Sequence, residues 1–228
     1  MYVERRSPLA PLIVWTRTVE ADGSARVLPD GCIDLIWSGD ELVVAGPDTL
    51  AHVVEDRVGA RYAAVRCAPG VGPALLGTPA DALRDRRIPL ADVWGERDVR
   101  ILSERLAAAP DPAAFLEELA AARLRDRDPE AARFAGTVVG ELRAGADVAT
   151  VAAGVRLSER QLHRRSLAAF GYGPKTLARV LRLERALDLA RTGMPPARVA
   201  AGSGYADQAH FARDVKALAG VPLRTLLG

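Results

Sequence analysis

An internal repeat in the last third of the chain constrains the fold more than any other feature. Val151-Ala152-Ala153-Gly154 is followed by Ser158, Leu162 and Gly171-Tyr172-Gly173-Pro174. Val199-Ala200-Ala201-Gly202 is followed by Asp207, Phe211 and Gly220-Val221-Pro222. The offset is 48 residues between the two valines and between the two prolines, and 49 from Leu162 to Phe211 and from Gly171 to Gly220. One extra turn residue absorbs the difference. Each copy supplies a short helix, a Gly-bearing turn, a Ser or Asp N-cap, a second helix with an apolar face and a Gly that stops it, which is the helix-turn-helix plan. Ala152 and Ala200 are small enough for the two helices of a unit to cross closely, and Leu162 and Phe211 fill the crossing.

After Pro174 the chain runs to Thr192 without another Pro or a Gly. At about 1.5 Å per residue this predicts a linker helix of roughly 28 Å. Two second helices held that far apart match neighbouring major grooves, which repeat along one face of a duplex at about 34 Å. The polar face of the first such helix carries Glu159, Arg160, His163, Arg164 and Arg165, and that of the second carries Gln208, His210 and Arg213. These are donors of the kind that read base edges and bind phosphate. Ser158 and Asp147 stand at helix starts, where backbone N–H groups also suit phosphate.

Three segments, LSERQLHRR (157–165), GYGPKTLARVLRLERAL (171–187) and VAAGSGYADQAHFARDVKALAGVP (199–222), carry a family likeness. Residues 147–228 resemble the DNA-binding domain of the AraC/XylS family of transcription regulators. The resemblance implies that Arg160, His163 and Arg164 face base edges from the first recognition helix, and Gln208, Ala209, His210, Ala212 and Arg213 from the second. It implies double-stranded DNA as partner, RNA polymerase where the protein activates, no cofactor and no enzymatic activity. Ser166 and Val215 depart from the family, which usually places a Phe behind the recognition helix. LPDGCIDLIW (28–37), VAGPDT (44–49) and PALLGTPADAL (73–83) are similar to an uncharacterised N-terminal domain that accompanies some AraC-type regulators, implying a sensor without naming its effector.

Charge follows the same division. Residues 129–228 hold fifteen Arg and Lys against eight Asp and Glu, a net of +7, leaving sixteen against twenty-one, a net of −5, in 1–128. A basic C-terminal half suits nucleic acid. The expected units are therefore 1–128, β-rich over 1–78 and helical over 79–128, and a DNA-binding unit over 129–228. The class is α+β: a small antiparallel β barrel or sandwich with following helices, then an all-α domain of two helix-turn-helix units joined by a long helix. Two cysteines, Cys32 and Cys67, give no disulfide framework, and no leader or membrane span is recognised, so a cytoplasmic location is expected.

In the N-terminal part, strand-like runs at 12–18, 25–28, 32–37, 41–45, 51–54 and 62–67 alternate with turn signals. Alternation places Cys32, Asp34 and Ile36 on one face of a strand and Ile33, Leu35 and Trp37 on the other. A carboxylate there needs a partner: Asp34 either pairs with the backbone or an Arg such as Arg66, or binds a ligand. Cys32, Asp34 and Cys67 are the candidate effector residues. No metal-ligand spacing joins the cysteines to His52. The competing reading is a repair or redox protein using one of these cysteines as nucleophile beside an AraC-like DNA-binding tail. Helices are expected from Glu96 to Ala108, after Asp111-Pro112 and from Glu130 to Arg143, with Ile88–Trp94 leading into the first. The Ala- and Leu-rich stretch from Arg100 to Leu124 serves a homodimer or packs on its own β domain.

Overall fold

The computed structural model describes residues 1–227. Eight strands open the chain: β1 (Tyr2–Arg6), β2 (Leu12–Thr18), β3 (Gly23–Val27), β4 (Ile33–Trp37), β5 (Leu42–Ala45), β6 (His52–Asp56), β7 (Arg61–Cys67) and β8 (Arg87–Pro89). Six form an antiparallel sheet in the order β1-β2-β7-β4-β5-β8, and β3 pairs with β6 as a separate two-stranded ribbon. The expected strands are present, with two additions. In β1 every residue is exposed, so this charged edge strand has no alternation to signal it. At the other edge Arg87–Pro89 pairs with β5, where the sequence led into a helix.

Strand parity divides the six-stranded sheet cleanly. Leu12, Val14, Ile33, Leu35, Val65 and Cys67 face helices α4 (Glu96–Ala108) and α5 (Pro112–Leu124) and form one core with Leu102, Leu106, Leu116 and Ala120. The apolar stretch from 100 to 124 thus spends its buried face on its own sheet. Short helices α1 (Gly72–Leu76), α2 (Ala80–Leu83) and α3 (Ala91–Trp94) complete this half.

Helices α6 (Pro129–Arg143), α7 (Val148–Gly154), α8 (Glu159–Phe170), α9 (Pro174–Arg191), α10 (Pro196–Ser203), α11 (Gln208–Ala219) and α12 (Leu223–Leu227) follow. Two cores hold them. Leu162 and Phe170 of α8 pack with Val151, Ala152 and the first half of α9. Phe211, Val215 and Leu218 of α11 pack with Val199, Ala200 and the second half, Leu183 to Ala190. The 18 residues of α9, about 27 Å, are the common beam of both units.

The helix boundaries have local causes. Ser158 and Gln161 form a reciprocal capping box at α8, and the Asp207 carboxylate accepts from His210 N at 2.6 Å to start α11. Gly171 and Gly220 end the two helices with φ of 84° and 75°, the left-handed region that a Cβ disfavours. One detail differs from expectation. Gly154 and Gly202 lie inside the first helices of their units, and the left-handed turn residues are Arg156 (φ 56°) and Gly204 (φ 82°).

Candidate nucleic-acid interface and sheet cavity

Burying Leu162 and Phe170 of α8, and Phe211, Val215 and Leu218 of α11, leaves the opposite helix faces to solvent. Arg160, His163 and Arg164 are exposed on α8, as are Gln208, Ala209, Ala212 and Arg213 on α11. His210 is half-buried, its ring edge-on to Tyr205 at 5.1 Å. His163 leans across Gly173, where a Cβ would fall 2.5 Å from its ring, so this glycine leaves the room the imidazole occupies. Arg165 stands apart from the other cations. It pairs with Glu130 at 3.3 Å and lies over the Phe134 ring at 4.3 Å, which ties α8 to α6. The hydroxyl of Ser158 is likewise occupied, in its capping box.

The second unit is braced by a buried carboxylate absent from the sequence reading. Asp214 accepts from Arg179 Nε of α9 and from the Tyr205 hydroxyl at 3.0 Å, and Arg182 lies over the Tyr205 ring at 5.3 Å. Carboxylate and burial together push the Tyr205 phenol up, burial being the larger cause. Of the two residues that depart from the family's Phe, Val215 is buried in the core, whereas Ser166 is buried with no partner for its hydroxyl among the described residues.

The N-terminal half grips both recognition helices at their C-terminal ends. Arg84 Nη1 donates to Gly171 O at 3.1 Å, the cap of α8. Arg26 Nη1 donates to Ala219 O at 3.0 Å and Ala51 N to Leu218 O at 2.7 Å, at the end of α11. Leu28 adds apolar contact to the second unit's core.

The sheet face opposite the helices borders a cavity of about 410 Å³ roofed by the β3–β6 ribbon. Trp15, Asp34, Ile36, Tyr62 and Arg66 form its floor, and Ala25, Val27 and Val54 its roof. Asp34 and Arg66 sit directly opposite in the β4–β7 register and pair at 3.2 Å, and Trp15 Nε1 donates to Asp34 at 2.6 Å. Burial nevertheless pushes the Asp34 carboxyl up to about 6, against the pull of Arg66. Both alternatives for Asp34 therefore meet in one place: it has its Arg partner and it faces a cavity.

Cys32 borders the same cavity, but Cys67 does not. Odd strand parity turns Cys67 into the helix-side core, fully buried, so the grouping of both cysteines with Asp34 is corrected. Burial raises both thiols, most strongly countering the thiolate that a nucleophile needs. His52 is exposed on the ribbon, and among the described residues no group of His, Cys, Asp and Glu is arranged to hold a metal. A larger cleft of about 880 Å³ separates α6 from the loop before α1; of the four arginines that line it, Arg143 and Arg165 are paired with Glu184 and Glu130. No helix of the described residues is long and apolar enough to cross a membrane.

Two helix-turn-helix units with exposed basic faces, braced by a β domain that borders a cavity, define a DNA-binding regulator. Residues 151–227 match the family described as a helix-turn-helix domain, and residues 6–89 match a domain of unknown function (DUF6597). The chain thus carries an AraC-type helix-turn-helix domain at its C-terminus behind that N-terminal domain. Its fold is also that of ToxT from Vibrio cholerae O395, at 11% identity and a TM-score of 0.51 over 95% of this chain and 97% of that one. ToxT bound to (E)-4-(8-methylnaphthalen-1-yl)but-3-enoic acid matches at 12% identity and a TM-score of 0.50, covering 99% of this chain and 98% of that one. No curated protein matches the chain.

Proposed function

We propose that this protein is a sequence-specific transcription regulator that reads two successive major grooves with α8 and α11, under control of an effector in the sheet cavity. The observation that carries the reading is the pairing of two exposed cationic helix faces on one rigid beam, α9. In it Arg160, His163 and Arg164 meet bases in one groove, and Gln208, Ala209, His210, Ala212 and Arg213 in the next, with phosphate contacts setting register. Arg165 and Ser158 serve the fold of the first unit and stand at the margin of the contact. The working units are 1–128 for sensing and 129–228 for DNA, Gly228 lying outside the described residues. Where the protein activates, RNA polymerase is its further partner.

The effector role of the cavity is supported by its place beneath the ribbon that touches α11, and by a small molecule bound in one ToxT structure. Cys32 and Asp34 are its candidate contacts. Selection of bound genomic fragments followed by footprinting tests the DNA reading. Two protected patches about one helical turn apart, with affinity falling steeply as salt rises, are expected. A single patch, or binding without sequence preference, would overturn it.

A further inference from the structure

We infer that the cavity takes an organic cation, its ammonium group held beside Asp34 and Asp30 and its apolar body lying under Val27, Leu28 and Val54. This rests on the reading of the cavity as an effector site and adds the chemical class of the effector.

The first argument is the charge balance of the wall. Three arginines border the cavity, and each is committed to a carboxylate. Both terminal nitrogens of Arg87 are held by Asp48, at 2.8 and 2.6 Å, and Arg17 is paired with Asp56. Arg66 alone faces three: Asp34 at 3.2 Å, Asp30 at 3.6 Å and Glu4 at 3.9 Å. Glu4 is half-exposed and, like Asp56, lies outside the lining, so with Arg87 and Arg17 neutralised by their partners the surplus at the wall is one negative charge, on the Asp34 and Asp30 pair that shares Arg66. A carboxylate ligand would enlarge that surplus inside a partly desolvated space, whereas a cation reduces it.

The second argument is the orientation of the aromatic groups. Trp15 spends its indole N–H on Asp34, and Tyr2, 5.9 Å from the Trp15 ring centroid, donates its hydroxyl to Glu4 at 2.6 Å. With those donors turned to carboxylates, neither residue has a proton left for an anionic ligand, and the rings of Trp15 and Tyr2 line the cavity as groups that attract cations. Burial raises the Asp34 and Asp30 carboxyls above the usual range, so each carboxylate is stabilised by a cation brought beside it. The remaining wall, Ala25, Val27, Leu28, Ile36 and Val54, is apolar, so a bare metal ion or a polyol would leave it unmatched.

Arg66 hydrogen-bonds Asp34 through Nε, and a carboxylate seeking its terminal nitrogens is the competing ligand. The test therefore sets three probes of one shape against the full-length protein: 2-phenylethylamine, 3-phenylpropionate and 3-phenylpropan-1-ol, by calorimetry near neutral pH. The amine is expected to bind at least about tenfold more tightly than the other two. Asp34→Asn and Asp30→Asn keep the acceptors for Trp15 Nε1 and Cys32 N and remove charge. Each is expected to weaken the amine about tenfold and to spare the alcohol. Preference for the acid, no binding by any probe, or unchanged amine affinity in both variants overturns the cationic class. The effector role is separable. An amine that binds without changing affinity for selected DNA sinks that role and leaves the class. An acid that binds and changes DNA affinity does the reverse.

Discussion

Arg26 of β3 and Ala219, at the last turn of α11, are joined by a 3.0 Å hydrogen bond from the guanidinium to the peptide carbonyl. Alternation along β3 explains how one ribbon serves two sites, since Ala25 and Val27 turn toward the cavity and Arg26 turns away from it. Arg84 makes the equivalent bond to Gly171 at the end of α8. Both cations stand at the negative end of a helix dipole, where each contributes about 0.3–1 kcal/mol.

That relationship predicts a spacing phenotype. Arg26→Ala together with Arg84→Ala loosens the hold of the N-terminal half on the two recognition helices, leaving the Ala51–Leu218 bond and their DNA-facing side chains intact. Binding to duplexes with the two half-sites moved apart or together by one base pair is expected to become less discriminating, with only a small fall in affinity for the native spacing. An unchanged spacing preference would show that the two arginine bonds do not set the geometry, which α9 and the remaining contacts then hold.

Specificity is expected from the unpaired exposed cations and not from Arg165, which is tied to Glu130. Arg164→Ala and Arg213→Ala should each cost about 1–3 kcal/mol on selected DNA and relax choice at particular base pairs. Arg165→Ala, which removes the Glu130 pair and the contact over Phe134, should lower the melting temperature and leave base preference alone. Equal losses on selected and random DNA for Arg164 and Arg213 would count against base readout.

Much of the helical half was legible because its signals are local. Caps at Ser158 and Asp207, stops at Gly171 and Gly220 and the small Ala152 and Ala200 lie within a few residues of what they control. Asp34 also declared itself, as a carboxylate among apolar neighbours on a strand. The rest depends on residues far apart in the chain. Arg26 and Ala219 are 193 residues apart, and nothing near either one marks the contact. Arg165 looked like its neighbours Arg160 and Arg164 because helical spacing alone does not say that α6 lies against that side. Cys67 was grouped with Cys32 by residue type, and only the β4–β7 register, which sets Cys67 opposite Ile33, assigns it to the other face.

Ser166 offers a test of packing behind the first recognition helix. Its hydroxyl is fully buried without a partner, which costs about 1–3 kcal/mol of desolvation. Ser166→Ala removes that group with little change in volume and should stabilise the protein by about 1 kcal/mol in urea unfolding. A destabilised Ala variant would mean that the hydroxyl is satisfied in solution, by water or by a carbonyl one turn back.

The titration of Asp34 makes a stability prediction whose sign is unusual for a paired carboxylate. Burial raises its folded-state value to about 6 from 3.8, the Arg66 guanidinium and the Trp15 N–H offsetting only part of the cost, with Asp30 adding to it. Between those values the folded protein holds a proton that the unfolded chain has released. Stability contributed by this group is therefore greatest at the acid end and falls as pH rises toward 6. Asp34→Asn deletes the titration while keeping an oxygen for Trp15 Nε1. Unfolding free energies of the two proteins, measured across about pH 4 to 7, should show the native chain losing ground against the variant as pH rises. The opposite slope would mean that Arg66 outweighs desolvation and that Asp34 is ionised throughout.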